Sequence, residues 1–428
     1  VRVTADLHIH SRYSRATSER MSIEEIGRFA RIKGVNLVGT GDFTHPKWFA
    51  EMQEMLVPEP DTGLYKIAKN PELPVHFMAT TEVSTIFTFA GETKKIHHVI
   101  LTPSLENAAQ INDRLLKYGD LASDGRPTLN MDAPHLVEEV MEVSSENMVF
   151  PAHAWTPWFS IFGAFSGFDS VEDCYQDMTK HIYALETGLS SDPPMNWRLS
   201  KLDRFALVSN SDSHSFWPWR IGREANVFEL EKPSYFEVVD AVRRKDTERF
   251  KFTIETDPAY GKYHWTGHRN CHVSLSAKEA IKLGNICPVC RRKLTKGVEQ
   301  RVEELADRPL GFKPEGAVGF VRLLPLSEII STVLRVDSPS TQKVWSIYNS
   351  LIERFGDEYT VLIDASKEAL MSVADVQIAE AVVRVREGDV RIAPGYDGVY
   401  GQIAIFEDQF KEKVGPQRVQ QLNLSDFM

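Results

Sequence analysis

Short apolar runs alternate with amphipathic stretches through the first half of the chain. "VRVTADLHI" at residues 1–9 has the texture of a strand. "MSIEEIGRFARIKG" follows, with Ile23, Ile26, Phe29 and Ala30 at helical spacing and Gly34 just past the end. That spacing predicts an amphipathic helix. "VNLVGTGDF", "VHFMATTEVSTIF", "KIHHVILTP", "NMVFPAHAW", "IYALETGLS" and "FALVSNSDSH" predict further strands. Helical patterns such as "APHLVEEVMEVSSE" fall between several of them. The alternation predicts an α/β fold with parallel strands, most simply a barrel. Asp42, Glu82, His98, His153, Asp212 and His214 sit at the downstream ends of these strands, matching His8 and His10 on the first. An α/β barrel carries its chemistry at that end.

The texture changes after about residue 250, where "HWTGHRNCHVSLSAKEAIKLGNICPVCRRKLTKG" is rich in cysteine and histidine. From about residue 300 the pattern is mainly helical: "GVEQRVEELADR", "PLSEIISTVLRV", "TQKVWSIYNSLIERFG" and "DASKEALMSVADVQIAEAVVRVREG". "DVRIAPGYDGVYGQIAIFED" then predicts two short strands around a loop, and the last ten or so residues read as a loose tail. The expected division is residues 1–250, an α/β domain; 251–300, a zinc-binding segment; and 301–428, a helical C-terminal domain.

Composition narrows the classes. A chain of 428 residues suits two or three domains. Its net charge of −11 speaks against indiscriminate wrapping of nucleic acid, which needs Lys and Arg for the phosphates. No apolar run is long enough to span a membrane, and no secretory pattern stands at the start. A cytoplasmic, monomeric protein with no membrane partner is the expectation. Three of the four cysteines lie within twenty residues, which fits metal binding better than disulfides. Cys174 stands apart and reads as packing.

The histidines carry the candidate chemistry. On a strand, residues i and i+2 share a face, so His8 and His10 project together, with Asp6 one step earlier. Two imidazoles on one face make a metal clamp; the apolar surroundings argue against a merely polar edge strand. "SNSDSHS" repeats the arrangement with Asp212 and His214. Glu82 lies in an apolar strand, where a buried carboxylate needs a partner such as a metal. His97 and His98 face opposite ways, so one is a candidate ligand while the other packs; His98 is the favoured ligand, with His97 the alternative. His153 ends another strand. Any one of these alone reads as a structural histidine. Together they point to a polynuclear site for Zn, Mn or Fe.

His268, Cys271, Cys287 and Cys290 read H-x2-C-x15-C-x2-C, the spacing of a closed structural Zn site. His264 and His272 compete for the histidine position, and a redox pair at Cys287 and Cys290 is the other reading. Arg269, Arg291, Arg292, Lys293 and Lys296 make a local basic patch, either a phosphate-binding surface or simply solvated charge.

D-x-H-x-H, a strand ending in Asp42, the isolated Glu82, then His98, His153 and the final D-x-H resemble, in this order, the PHP (polymerase and histidinol phosphatase) domain over about residues 1–250. The resemblance implies a seven-stranded (β/α) barrel that hydrolyses phosphoesters with two or three divalent metals (Zn, Mg or Mn). It implies that His8, His10, Glu82 and Asp212 hold one metal, and that Glu82, His98 and His153 hold a second. His214 with Asp42 would hold a third. Phe43 and Ala16 stand where many such domains place further histidines, which leaves the count at two or three. Neighbouring metals acidify a bound water and clamp phosphate oxygens. Asp212 or His214 would orient that water. Arg223 would steady the phosphate, or else makes a surface ion pair.

The added "YHWTGHRNC", "ICPVCRRKLTKGV" and "RVEELADRP", with "ETGLSSDPPMNWRLS" and "PGYDGVYGQIAI", resemble the endonuclease Q family over nearly the whole chain. This implies a metal-dependent DNA repair endonuclease cutting 5′ of a deaminated base (uracil, hypoxanthine, xanthine) or an abasic site and leaving a 3′-hydroxyl, with residues 1–250 as its metallo-phosphoesterase domain and residues 301–428 recognising DNA or the lesion. Such a base is extruded from the stack. Trp155, Trp158 and Phe159 after His153, and Trp217 and Trp219 after His214, are candidates to stack on bases, or else close over a core. Tyr396 in "APGYDGVYG" suits either a base pocket or a hairpin turn. A phosphatase of small phosphate monoesters and a catalytically inactive DNA-binding module are the competing readings.

Overall fold

Ser22 starts the first helix where the pattern places it: its hydroxyl accepts from the Glu25 N–H, and Ile23–Lys33 stops at Gly34, whose φ of 95° only glycine adopts easily. The structure, a computed structural model, describes residues 1–406; the expected loose tail lies outside them. Each predicted strand is present, and their pairings close on themselves. Arg2–Asp6 runs parallel to Leu37–Gly39, which runs parallel to His76–Phe89. Ala90 and Gly91, with φ of 50° and 83°, then reverse the chain into Glu92–Thr102. Glu92–Thr102 pairs with Met148–Pro151. A bridge from Val149 to Ile182 leads to Ala184–Glu186, parallel to Ala206–Val208. A bridge from Ser213 to Ile9 returns to the first strand.

The expectation of parallel strands needs one correction. Glu92–Thr102 is antiparallel to both neighbours. A two-residue turn leaves no length for the crossover that a parallel neighbour requires.

Outside this cycle, Ala225–Glu229 pairs antiparallel with the first strand and extends the sheet through Phe250–Glu255 to Gly319–Arg322. The Cys/His segment forms the small hairpin of Thr266–His268 with Val273–Leu275. Beyond it, helices Leu326–Leu334, Gln342–Phe355 and Val376–Glu387 pack together, followed by the predicted strand pair Arg391–Ala393 and Gln402–Ala404. One apolar cluster runs unbroken from Ile26 and Phe29 to Ile330, Val344 and Val382, so the helical part shares its core with the α/β part. Among the described residues no helix is long and apolar enough to cross a membrane.

Candidate metal centre

Three of the polar residues just beyond strand ends sit in left-handed backbone: Asp42 (φ 50°), His153 (31°) and Asp212 (48°). A reversed φ re-aims the side chain across the end of the sheet. Asp tolerates it with local hydrogen bonds, whereas for His it costs about 1–3 kcal/mol and marks a constrained site.

His8 and His10 are both buried and are each oriented from behind by a carboxylate. His8 Nδ1 lies 3.0 Å from both oxygens of Glu186, and His10 Nδ1 lies 2.9 Å from Asp42 Oδ1. A carboxylate only accepts, so both Nδ1 atoms carry protons, and both Nε2 atoms face forward. There they meet Glu82 and Asp212: His10 Nε2 is 3.1 Å from Glu82 and 2.9 Å from Asp212, and His8 Nε2 is 3.3 Å from Glu82. One donor atom from each of His8, His10, Glu82 and Asp212 falls within 4.8 Å of the others. Asp6, placed with these histidines by its alternation, instead accepts from the N–H and hydroxyl of Ser211 and from the Gly222 N–H. Its pKa is raised to about 6, mainly by burial.

A second group shares Glu82 and comprises Glu82, His97 and His153. His97 Nδ1 is 2.9 Å and His153 Nε2 3.1 Å from Glu82 Oε1. This corrects the expectation for His98. In the antiparallel pair, Ser84 opposes His97 and Val83 opposes His98, so the face of Glu82 is the face of His97. His98 points the other way, to Thr85 Oγ1 at 2.8 Å and the Tyr175 hydroxyl at 2.8 Å. Burial pushes its pKa down to about 3, so it is a neutral packing residue.

The donor set fits a cation. Burial would raise the pKa of Glu82 and Asp212, yet the surrounding imidazoles, with Arg126 beside Glu82, hold both well below the usual range. Burial would lower His8 and His10, yet Glu186 and Glu82 at one, and Asp42 and Asp212 at the other, hold them well above theirs. His8 Nε2 is buried without a hydrogen-bond partner. An orphaned imidazole nitrogen among anionic carboxylates is a position a divalent ion satisfies.

Other expected members stand elsewhere. Asp42 has no oxygen to spare: Oδ1 faces His10, and Oδ2 accepts from the Ser11 N–H, the Ser11 hydroxyl and the Ser14 hydroxyl. It orients His10 rather than joining either group. His214 stacks on His10 and bonds Thr17 through Nδ1, with Nε2 3.5 Å from Asp212; it too is outside both groups. Arg223, expected to steady phosphate, is buried against Glu328 at 3.2 Å and over the Tyr260 ring. The arginine at the centre is Arg126, 3.2 Å from Glu82 Oε2. Its loop closes in because Gly125 has no Cβ; one would lie 2.3 Å from Asp42 Oδ2. Arg126, Glu186 and His97 are the residues sequence reasoning missed. Only His97, beside His98, carried a local signal.

The cysteine segment places His268, Cys271, Cys287 and Cys290 within 4.8 Å of one another, while His264 and His272 stand outside the group. Arg291, Arg292 and Lys293 are exposed on the adjoining turn. Tyr396 lies in a turn, its N–H and carbonyl paired with Val399, and its ring closes on Gly267 of the hairpin. Trp155 is fully buried with its indole N–H on Asn196, which removes it from a DNA-facing role. Trp158 is 40% exposed and stacks on Phe165, itself 50% exposed, at 4.9 Å.

Residues 325–389 match the family model described as the MJ0043 C-terminal domain. A protein of Methanocaldococcus jannaschii, MJ0043, is 32% identical over 59% of this chain and 31% of its own length, so the chain spans about a third of that relative. The Bacillus subtilis protein YqxK is 26% identical over 94% of this chain and 99% of its own. The crystal structure of the lesion-specific endonuclease PfuEndoQ from Pyrococcus furiosus is 34% identical, with a TM-score of 0.85, covering 97% of this chain and 98% of that one. A structure of endonuclease Q with a 27-mer duplex carrying an abasic lesion at the active site is also 34% identical, with a TM-score of 0.83, covering 96% of this chain and 98% of that one.

Proposed function

This chain belongs to the endonuclease Q family, and we propose that it is a metal-dependent endonuclease that cuts DNA 5′ of a damaged base and leaves a 3′-hydroxyl. Deaminated bases and abasic sites are its substrates. The observation that carries the reading is the buried Glu82 shared by two donor groups, His8–His10–Asp212 on one side and His97–His153 on the other. In this reading they hold two divalent ions, Zn, Mg or Mn, in a PHP-type barrel. Ions so held acidify a water and neutralise charge on the phosphate.

The chain's own residues supply the rest. Glu186 and Asp42 fix the imidazole tautomers from behind. Asp212, the most open of these carboxylates at 29% exposure, orients the attacking water. Arg126 reaches the same space and steadies the phosphate. Trp158 and Phe165 offer a stacking face beside a strand-end loop, and the Arg291–Lys293 turn offers phosphate contacts. His268, Cys271, Cys287 and Cys290 hold a structural Zn. Residues 1–250, 251–300 and 301–428 are the working units of this reading.

The test is add-back. Chelated protein is supplied with Mg²⁺, Mn²⁺ or Zn²⁺ and a duplex with one abasic site. Metal-dependent nicking that Asp212→Asn loses while still binding the duplex is the expected result. Nicking unaffected by chelation or by Asp212→Asn would overturn the proposal.

A further inference from the structure

The segment that follows Asp212 has no regular structure of its own until Ala225, yet it is fastened at several points to the helical domain. Lys33 Nζ, on the first helix, donates to Pro218 O at 2.8 Å and to Glu358 Oε1 at 2.7 Å. Glu358 also accepts from the Leu326 N–H at 2.9 Å and the Tyr348 hydroxyl at 2.8 Å, and both ends of the Lys33–Glu358 pair are buried. The Tyr359 hydroxyl donates to Gly222 O. The Gly222 N–H donates to Asp6 Oδ2 at 2.8 Å, and Asp6 in turn accepts from Ser211, the residue before Asp212. Trp217 and Trp219 stack on each other and lie tilted against Trp345, with ring centroids at 5.6 and 5.7 Å.

We infer that the C-terminal domain is a positioning element for the metal site: through Glu358 and Tyr359 it holds the segment 215–223, and through Gly222 and Asp6 it sets the placement of Asp212. The inference rests on Asp212 being a metal ligand. A buried ion pair is a poor source of stability, because desolvation offsets its attraction. The shared core already joins the two parts. What Lys33, held by Glu358, and the Tyr359 hydroxyl add is direction, since their hydrogen bonds end on the backbone carbonyls of Pro218 and Gly222. Gly222 suits this role: with φ at 60° and a Cβ position 2.8 Å from the Lys33 side chain, only glycine brings its amide to Asp6 and its carbonyl to Tyr359.

Tyr359→Phe removes one oxygen and leaves the ring; Glu358→Gln removes the charge. Manganese affinity of each full-length variant, carrying zinc only at its cysteine site, is read from the signal of free Mn²⁺ and compared with that of wild type and Asp212→Asn. We expect both positioning variants to bind Mn²⁺ on the order of tenfold more weakly, the low end for outer-shell partners. Their KM for a lesion duplex stays at the wild-type value, and excess Mn²⁺ restores kcat. Should Glu358→Gln not fold, Tyr359→Phe decides. Wild-type Mn²⁺ affinity in Tyr359→Phe would overturn the inference, whether or not its melting temperature falls. Equal Mn²⁺ uptake by wild type and Asp212→Asn would remove Asp212 as a ligand and overturn the functional reading with it.

Discussion

Glu186 touches no proposed metal position, yet its replacement tests the logic of the site. Its two oxygens serve three donors: His8 Nδ1 at 3.0 Å, the His153 N–H at 2.7 Å and Asn210 Nδ2 at 2.8 Å. Glu186→Gln keeps the shape and leaves one accepting oxygen. At least one buried donor is then unpaired, and the new amide N–H₂ faces other donors. Each unsatisfied buried group costs about 1–3 kcal/mol, so the fold loses about 2–5 kcal/mol. The charge-assisted hydrogen bond that fixes the His8 tautomer is also lost, which lowers metal affinity about 10–100-fold, or about 1.4–2.7 kcal/mol. Thermal melting measures the first loss and calorimetric metal titration the second. The diagnostic combination is weaker metal binding with unchanged affinity for lesion DNA. A variant with lowered melting temperature but wild-type metal affinity would refute the claim that Glu186 acts through His8.

Four further outcomes follow from the geometry. His97→Ala is expected to lose one metal and reduce nicking at least about 100-fold, whereas His98→Ala loses about 1–3 kcal/mol of stability and keeps both metals; metal analysis with nicking assays on the folded variants separates them, and the reverse pattern would restore His98 as the ligand. Cys287→Ser should lower zinc content by one ion while the barrel metals remain, as elemental analysis will show; unchanged zinc content would dismiss the four-residue cluster. Burial holds His264 at about 4 against an ordinary 6.5, so below pH 6.5 the unfolded chain takes up a proton that the folded chain refuses. Stability therefore falls as pH drops from 6.5 towards 4, by about 3 kcal/mol in full; melting curves of His264→Phe should show a shallower acid limb, and an identical limb would clear His264 of any part in it. Trp158→Ala should weaken lesion-duplex binding by about 1–3 kcal/mol at unchanged metal affinity; binding isotherms at fixed salt check this, and wild-type affinity would remove the stacking role.

How far the site could be read in advance depended on how local each signal was. His8, His10, His153 and Asp212 announce themselves because each follows a short apolar strand, and strand ends are where such folds gather polar groups. His97 and His98 show the limit. Alternation puts them on opposite faces but does not say which face is which; only the pairing of Ser84 with His97 decides it. Glu186 and Arg126 had no local mark. Glu186 matters through His8, 178 residues away, and Arg126 through Glu82, 44 residues away across a loop that Gly125 lets close. Arg223 misled for the same reason, since its partner Glu328 lies in the helical domain. The antiparallel turn at Ala90 and Gly91 was hidden because the two strand patterns read alike in either direction.

The most direct measurement is the position and chemistry of the cut on a labelled duplex with a single deoxyuridine, beside its undamaged counterpart. A metal-dependent nick is expected at the phosphodiester 5′ of the uracil, with a 3′-hydroxyl that a polymerase can extend, and an intact control. Equal cutting of both duplexes, or intact DNA alongside phosphate release from a small monoester, would contradict the proposed function.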